Sequence, residues 1–318
     1  MGDIPAERLM PDFPFNVIGT DFAGPFMITD RKGRGCIISK CYLCLFICFK
    51  YKCLHLEAVS ELSKDAFILA LKRFISRRGL PNKIFCDNGG NFVAAVKEIK
   101  QFLNSNSTSI IDFAASEGVE FCFSSAYAPH FNDLMETGVK SAKFHLTRIL
   151  GKTHLTFEEL SSLFTQIECI LNSRPLCPLS SSPDDYYPLT PGHFLIGRPL
   201  MSLPSPSLTD INMNRLDRYQ RIEQIKQHFW KRWSNEYISE LQSRIKWRTK
   251  KNEIQIDDMV LLKEDNTPPL HWRLGRISRL FPGPDGVARV ADISTARGVV
   301  RRALNRIYLL PNTQARDS

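Results

Sequence analysis

The sequence lacks any hydrophobic run long enough to cross a bilayer. Its most apolar stretch, 41–49, is far too short, and Lys50 and Lys52 close it. The first five residues, Met1-Gly2-Asp3-Ile4-Pro5, have none of the features of a secretory leader. Position 6 is Ala where a myristoylation signal wants Ser or Thr. There is no internal repeat and no glycine-rich nucleotide loop; Gly89-Gly90 reads as a simple turn. The nine cysteines are an odd number and lie mostly inside apolar runs. That argues against a disulfide framework and for reduced, buried thiols in an intracellular compartment.

What is present is unevenly placed positive charge. The formal net charge is +9. Residues 218–251 hold ten Lys/Arg against three Asp/Glu, and 271–311 hold eight Arg against Asp285 and Asp292, so the remainder is net negative. A basic C-terminal third points to a polyanion partner, nucleic acid before membrane surface. The bland alternative is a solvated charged face. At 318 residues, 43% of them hydrophobic, the chain is long and apolar enough for two domains.

Periodicity and punctuation divide it. Short connections make 15–22, 37–49 and 52–59 an antiparallel meander. A helix is expected over 63–78, capped by Ser63 and striped by Phe67, Ala70, Leu71, Phe74 and Ile75. Gly79 ends it and Pro81 prevents its return. A strand at 83–86, a helix at 91–102, a strand at 119–123 and helices at 133–150 and 156–172 follow. The expected class is α/β, a mixed five-stranded sheet flanked by helices. Pro and Ser crowd 176–212, as in a linker or wrapping segment. A basic helix over 215–250 carries Trp230, Trp233, Tyr237 and Trp247. Five short strands between 259 and 310 then suggest a small SH3-like β-barrel. The expected divisions are a lead-in at 1–14, a core at 15–176, a linker at 177–214, a basic helical segment at 215–255, the barrel at 256–312 and a tail at 313–318.

Three acids stand out. Asp21 ends one apolar run just before Gly24-Pro25, and Asp87 ends another just before Asn88-Gly89-Gly90. Each reads as a carboxylate capping a short buried strand ahead of a turn. Glu136 lies on the next long helix. There Glu136, Lys140, Lys143 and Thr147 share a polar face, roughly 100° around from the stripe of Val139, Ala142, Leu146, Ile149 and Leu150. Converging carboxylates repel one another unless a cation lies between them. Oxygen-only ligands suit Mg²⁺ or Mn²⁺, and a pair of such ions about 3.5–4 Å apart suits in-line phosphoryl displacement. A single Asp at a strand end is ordinarily a turn residue; it is the set of three that carries the functional reading.

The segments Thr20-Asp21-Phe22-Ala23-Gly24-Pro25, Phe85-Cys86-Asp87-Asn88-Gly89-Gly90-Asn91-Phe92 and Ala128-Pro129-His130-Phe131, with Glu136 and Val139-Lys140-Ser141-Ala142-Lys143 beyond, resemble the integrase core of LTR retrotransposons. The BEL/Pao group is the nearest likeness. Leu171-Asn172-Ser173-Arg174-Pro175 and Leu189-Thr190-Pro191-Gly192-His193-Phe194 extend it, and 230–311 resembles the β-rich domain that follows such cores. The resemblance implies a ribonuclease H-like fold. It implies Asp21, Asp87 and Glu136 as catalytic triad and as ligands of two Mg²⁺ (or Mn²⁺) ions. The implied activity trims DNA 3′ ends with water and joins them to target DNA. The implied partners are DNA, both element ends and target, and further copies of the chain. The implied place of action is the nucleus, after a cytoplasmic stage. His130, Asn132, Lys140 and Lys143 are expected to meet DNA near the triad, and Arg297, Arg301 and Arg302 to meet phosphates on the barrel.

The likeness has gaps. Asn132-Asp133 stands where the group usually has Gly-Gly, and Leu134-Met135-Glu136 where it has Leu-Trp-Glu. The family's upstream zinc module has no counterpart before residue 15, as expected of a fragment or shortened copy. Two rival readings follow: a domesticated DNA-binding protein without turnover, and a ribonuclease H-type nuclease that cuts without joining. A zinc site of Cys41, Cys44, Cys48 and Cys53 would need the strand broken, since 41 and 44 point to opposite faces; small core side chains are expected instead. His55 and His130 are candidate catalytic helpers, and for His55 the expected reading is a strand residue with a local partner. The tryptophans either stack on bases or anchor a helix core.

Overall fold

A thirteen-residue strand, β1 (Val17–Thr29), is the member to which most of the first sheet attaches. The computed structural model describes residues 13–33, 35–86, 90, 93–95, 97, 120–123, 144–151, 153–248, 254–264, 267–284 and 288–311. The chain divides into two units, Met1–Leu171 and Asn172–Ser318.

In the first unit β2 (Ile38–Cys48) and β3 (Leu54–Val59) continue from β1 as the expected antiparallel meander. β4 (Lys83–Cys86) joins the other side of β1 in parallel, and β5 (Glu120–Phe123) joins β4 in parallel. Among the described residues the order is β3-β2-β1-β4-β5. A sixth strand, β6 (Leu155–Thr156), pairs with the far end of β1, Ile28 opposite Leu155. Two residues carry no periodicity, so nothing in the pattern announces β6.

One expectation is corrected here. Asp21 does not end its strand, and Gly24-Pro25 is not a terminal turn. The register passes from Ala23↔Leu43 to Phe26↔Cys41, so two residues of β1 face the single Tyr42: a β-bulge. Pro25 has no N–H to offer a ladder, and a bulge asks for none. Gly24 has φ 137°, and a Cβ there would lie 3.0 Å from Tyr42 Cδ1 and 3.3 Å from the Cys41 carbonyl. The same letters that mark a turn thus mark a kink through which the strand continues.

Helix α1 (Lys64–Arg78) begins and ends as its punctuation dictates. Ser63 Oγ accepts the Ala66 N–H at 3.1 Å, and the Gly79 N–H, at φ 93°, donates to the Ile75 carbonyl at 2.9 Å. Phe67, Ala70, Leu71 and Phe74 are buried, while Ile75 is half-buried. Phe74 stacks on Phe46 at 4.5 Å and meets the edge of Phe15 at 5.3 Å. Helix α2 (Phe157–Asn172) opens on a capping box: the Thr156 N–H donates to Glu159 Oε2 at 2.8 Å, and the Glu159 N–H to Thr156 Oγ1 at 3.3 Å. Cys41, Cys44, Cys48 and Cys53 are free, buried thiols, as their apolar setting required. Most of the expected 91–102 and 133–150 helices lies outside the described residues; in the part of the latter that is described, Leu146 and Leu150 are buried.

The second unit opens with a hairpin of β7 (Cys177–Pro178) and β8 (Pro188–Leu189) and a short helix α3 (Pro191–Ile196). The long α4 (Arg218–Arg248) follows. The β-rich portion is antiparallel: β9 (Met259–Leu262), β10 (Leu274–Pro282), β11 (Ala288–Thr295), β12 (Gly298–Ala303) and β13 (Ile307–Leu309), ordered β12-β11-β10-β9-β13. A single 3₁₀ turn, Leu304–Arg306, precedes β13. Val260, Leu262, Ile277, Ala291, Ile293 and Ile307 fill its core.

The proline-rich stretch has few strand partners, so side chains satisfy its backbone. Gln224 Nε2 donates to the Leu208 and Ile211 carbonyls at 2.7 and 2.6 Å. Gln227 accepts the Leu208 N–H at 2.8 Å and donates to the Pro206 carbonyl at 2.8 Å. Both glutamines are buried on α4. Buried Arg276 likewise donates to the carbonyls of Ser180, Asp185 and Asp257 at 2.9, 3.2 and 3.0 Å. Buried backbone groups need such partners, and here they fasten the stretch along α4 and β10. Among the described residues no helix is long and apolar enough to cross a membrane.

Candidate functional site

Asp21 sits in β1 where burial falls from complete to partial. Val17 to Thr20 are buried; Asp21 and Phe22 are half-buried. Asp21 pairs with Leu45 across the ladder, and its Oδ1 accepts the Phe22 N–H at 2.7 Å. Thr20 is sealed beneath it, with Oγ1 3.8 Å from Cys44 Sγ. A half-buried carboxylate thus follows directly on the sealed part of the strand. β4 runs alongside, Val17↔Lys83, Ile18↔Ile84 and Gly19↔Phe85, and its last residue is Cys86. Asp87, Glu136, His130, Asn132, Lys140 and Lys143 lie outside the described residues. Among the described residues no group of three or more His, Cys, Asp and Glu is placed to hold a metal ion. Asp21 is the one member of the expected triad that the geometry displays.

A heavily charged buried cluster among the described residues was not singled out from the sequence. His55 on β3 is buried between two carboxylates, Glu57 Oε1 at 3.1 Å from Nε2 and Glu168 Oε2 at 3.2 Å from Nδ1. Arg73 and Arg77 of α1 close on Glu57 at 2.6 and 2.9 Å, and Arg78 pairs with Glu168. Glu168 also accepts the Leu56 N–H at 2.9 Å, a donor on the edge strand of the sheet. Burial opposes a charged His55, but the hydrogen bonds to Glu168 and Glu57 outweigh it and hold the imidazole above its ordinary value. Burial would raise Glu57, but His55 and Arg73 hold it below the usual carboxylate range. Local partnering of His55 was expected; Glu168, from α2, was not. The only available signal was alternation, which puts 55 and 57 on one face of β3.

On the second unit the basic surface can be read directly. The Phe281 ring lies under the guanidinium groups of Arg301 at 4.3 Å and Arg279 at 4.9 Å. Arg301 also grips Asp292 in both arms, at 2.7 and 2.9 Å, and that bond holds Asp292 below the usual carboxylate range. Arg302 reaches Glu264 at 3.4 Å. Arg297 is exposed at the β11–β12 turn, where its N–H donates to Thr295 Oγ1. Arg279 and Arg289 are exposed nearby in sequence on β10 and β11. Trp230 and Trp233 are buried with Tyr237 around Trp272, at ring distances of 4.7 Å, 5.9 Å and 5.6 Å. Core anchoring, not exposed stacking, is the role of those two.

A model of a family of unknown function, DUF5641, matches residues 217–310. No curated protein matches the chain. Among solved structures, a chain from the simian T-cell lymphotropic virus intasome in complex with PP2A regulatory subunit B56 gamma is similar at 11% identity and TM-score 0.37, covering 95% of this chain and 81% of that one. The HTLV-2 integrase catalytic core domain in complex with magnesium is similar in its trimeric form at 16% identity and TM-score 0.32, over 52% of this chain and 89% of that one. Its dimeric form gives 17% identity and TM-score 0.31, over 50% and 88%. Scores this low establish neither a shared fold nor a shared activity.

Proposed function

We propose that the chain is an integrase-type polynucleotidyl transferase of BEL/Pao-like character, with a ribonuclease H-like core and a basic, SH3-like barrel. One observation carries the reading. The parallel pairs Val17↔Lys83, Ile18↔Ile84 and Gly19↔Phe85 run toward Asp21, two residues beyond Gly19, and the sequence carries Asp87 two residues beyond Phe85. Two acids in separate motifs, 66 positions apart in sequence, would then share one edge of the sheet, as the quoted motifs require. The strand order β12-β11-β10-β9-β13 with its 3₁₀ turn is what supports the barrel reading.

In this scheme Asp21, Asp87 and Glu136 would hold Mg²⁺ or Mn²⁺ as two ions. Cations so held stabilise charge on the attacking and leaving oxygens of an in-line displacement. The DNA 3′ end is first freed by water. Its hydroxyl oxygen then bonds to a target phosphorus as the P–O3′ bond of the target strand breaks, so the number of phosphodiesters is conserved. No covalent protein intermediate is needed, and the chain's work is positioning. Lys140 and Lys143, with Arg297, Arg301 and Arg302, would bind phosphates, and His130 and Asn132 would touch DNA beside the acids. Joining two ends calls for a homo-oligomer, and chromosomal DNA as target places the reaction in the nucleus.

The test is Asp87→Asn in a strand-transfer assay with Mn²⁺ on matched terminal DNA. Joining is expected to fall to background while DNA binding persists. Undiminished joining would reject the assignment. Nicking without joined product in the unmodified chain would favour a ribonuclease H-type nuclease, and salt-sensitive binding with neither would favour a domesticated DNA-binding protein.

A further inference from the structure

A cavity of about 140 Å³ lies within the second unit, between α4 and the segment that follows β9. A space of roughly this size holds a single aromatic ring. Its apolar lining is the half-buried Trp272 indole, packed edge to face on the buried Trp230 at 4.7 Å, with the flat surface of Pro268 and Pro269 beside it. An apolar ring alone would not account for the rest of the lining. Ser234, only 9% exposed, offers a hydroxyl, and Asn235, whose Nδ2 donates to the Lys231 carbonyl at 2.7 Å, offers its amide oxygen. Lys231 stands exposed at the rim. Glu264, the one carboxylate among the described lining residues, is already engaged by Arg273 at 2.7 Å and Arg302 at 3.4 Å. His228, one turn before Lys231, is held below its ordinary value by burial and then by Lys231 and Arg232, against Asp210. A ring-sized slot, hydrogen-bonding groups for a polar edge and a cation at the mouth together describe a heterocycle that carries an anion.

We infer that this cavity takes one unpaired nucleobase of DNA, with Lys231 on the adjoining phosphate. The inference rests on the DNA-joining reading, which supplies DNA ends as substrate, but goes beyond it by giving α4 a base-holding role. One base face meets the half-buried Trp272 indole and the two prolines, and the base edge meets Ser234 and Asn235, an arrangement tolerant of sequence. An acidic peptide would use the same cation, but it has no need of a slot one ring wide.

The test uses the full chain and fluorescence anisotropy on three DNAs: a blunt duplex, the same duplex with a short unpaired overhang, and that overhang made abasic. The base-bearing overhang is expected to bind at least about fivefold tighter than the abasic one, the weaker end of base–aromatic stacking. Ser207→Phe, at an exposed position of the lining, is expected to remove that difference and leave blunt-duplex binding unchanged. Lys231→Ala is expected to weaken the overhang complex without unfolding the protein. Equal affinity for base-bearing and abasic overhangs overturns the inference while leaving DNA binding intact. Failure to bind any of the three DNAs sinks the underlying reading as well. Saturable tryptophan quenching by thymidine monophosphate, without discrimination between overhangs, overturns it in favour of a free-nucleotide site. Displacement of the overhang by an acidic proline-containing peptide, again without discrimination, overturns it in favour of a peptide groove.

Discussion

Glu168 answers three donors at once: the Leu56 N–H, the His55 ring and Arg78. Removing it leaves the buried Leu56 N–H without its acceptor and takes one carboxylate from His55 and from Arg78. Glu168→Ala is therefore expected to cost about 3–5 kcal/mol in urea unfolding, the scale for breaking a buried pair from one side; a loss under about 1 kcal/mol would show that solvent reaches the cluster. The cluster also makes stability depend on pH. His55 titrates higher folded than its ordinary 6.5, so its contribution is complete below that value and is lost as pH rises through the folded value. Glu57 titrates lower folded than its ordinary 4.5, so its contribution is complete above that value and is lost as pH falls through the folded one. Both are present between about pH 4.5 and 6.5. Thermal unfolding should show the alkaline decline in the native chain, and His55→Gln should flatten it. An identical decline in the variant would place its origin elsewhere.

At the scale of elements, β10 and β11 approach without a spacer at Gly275. A Cβ there would lie 2.6 Å from Ile293 Cγ2, 2.6 Å from the Ser294 carbonyl and 2.9 Å from Thr295 Cγ2. Gly275→Ala should destabilise the second unit by about 1–3 kcal/mol, as overpacking does, measured by denaturant midpoint; a neutral result would mean the strands separate freely. Such contacts bear on what was legible in advance. The caps of α1 and the five strands between 259 and 310 were readable, because Ser63, Gly79 and the Pro-Gly turns act on their own neighbours. The bulge was not: Gly24-Pro25 spells a turn unless Tyr42, on another strand, is known to lie opposite. The Glu168–His55 pair was beyond reach because 113 positions separate its members, and the grip of Asp292 on Arg301 because it forms across a hairpin. In the candidate site, Asp21 was legible as a carboxylate on a buried run, but the continuation of its strand was not.

For the whole molecule, the charge imbalance becomes measurable through salt. Asp292 occupies both arms of Arg301, so one cation of the basic surface is committed inside the protein. Asp292→Asn should free it, raising DNA affinity and steepening the log–log salt dependence by about 0.9 per added phosphate contact. Fluorescence titrations at several salt concentrations would show this, and an unchanged slope would mean Arg301 faces no phosphate. The sulfur atoms carry a different consequence. No described cysteine is in a disulfide, yet those of the meander are sealed, and burial pushes Cys41 up to about 11 against the pull of the Tyr42 and Val59 carbonyls. A thiol kept protonated is a poor nucleophile. Oxidants and alkylating reagents would therefore spend themselves first on the half-buried Cys36, Cys122 and Cys169, leaving the interior chemically silent for as long as the sheet stays closed.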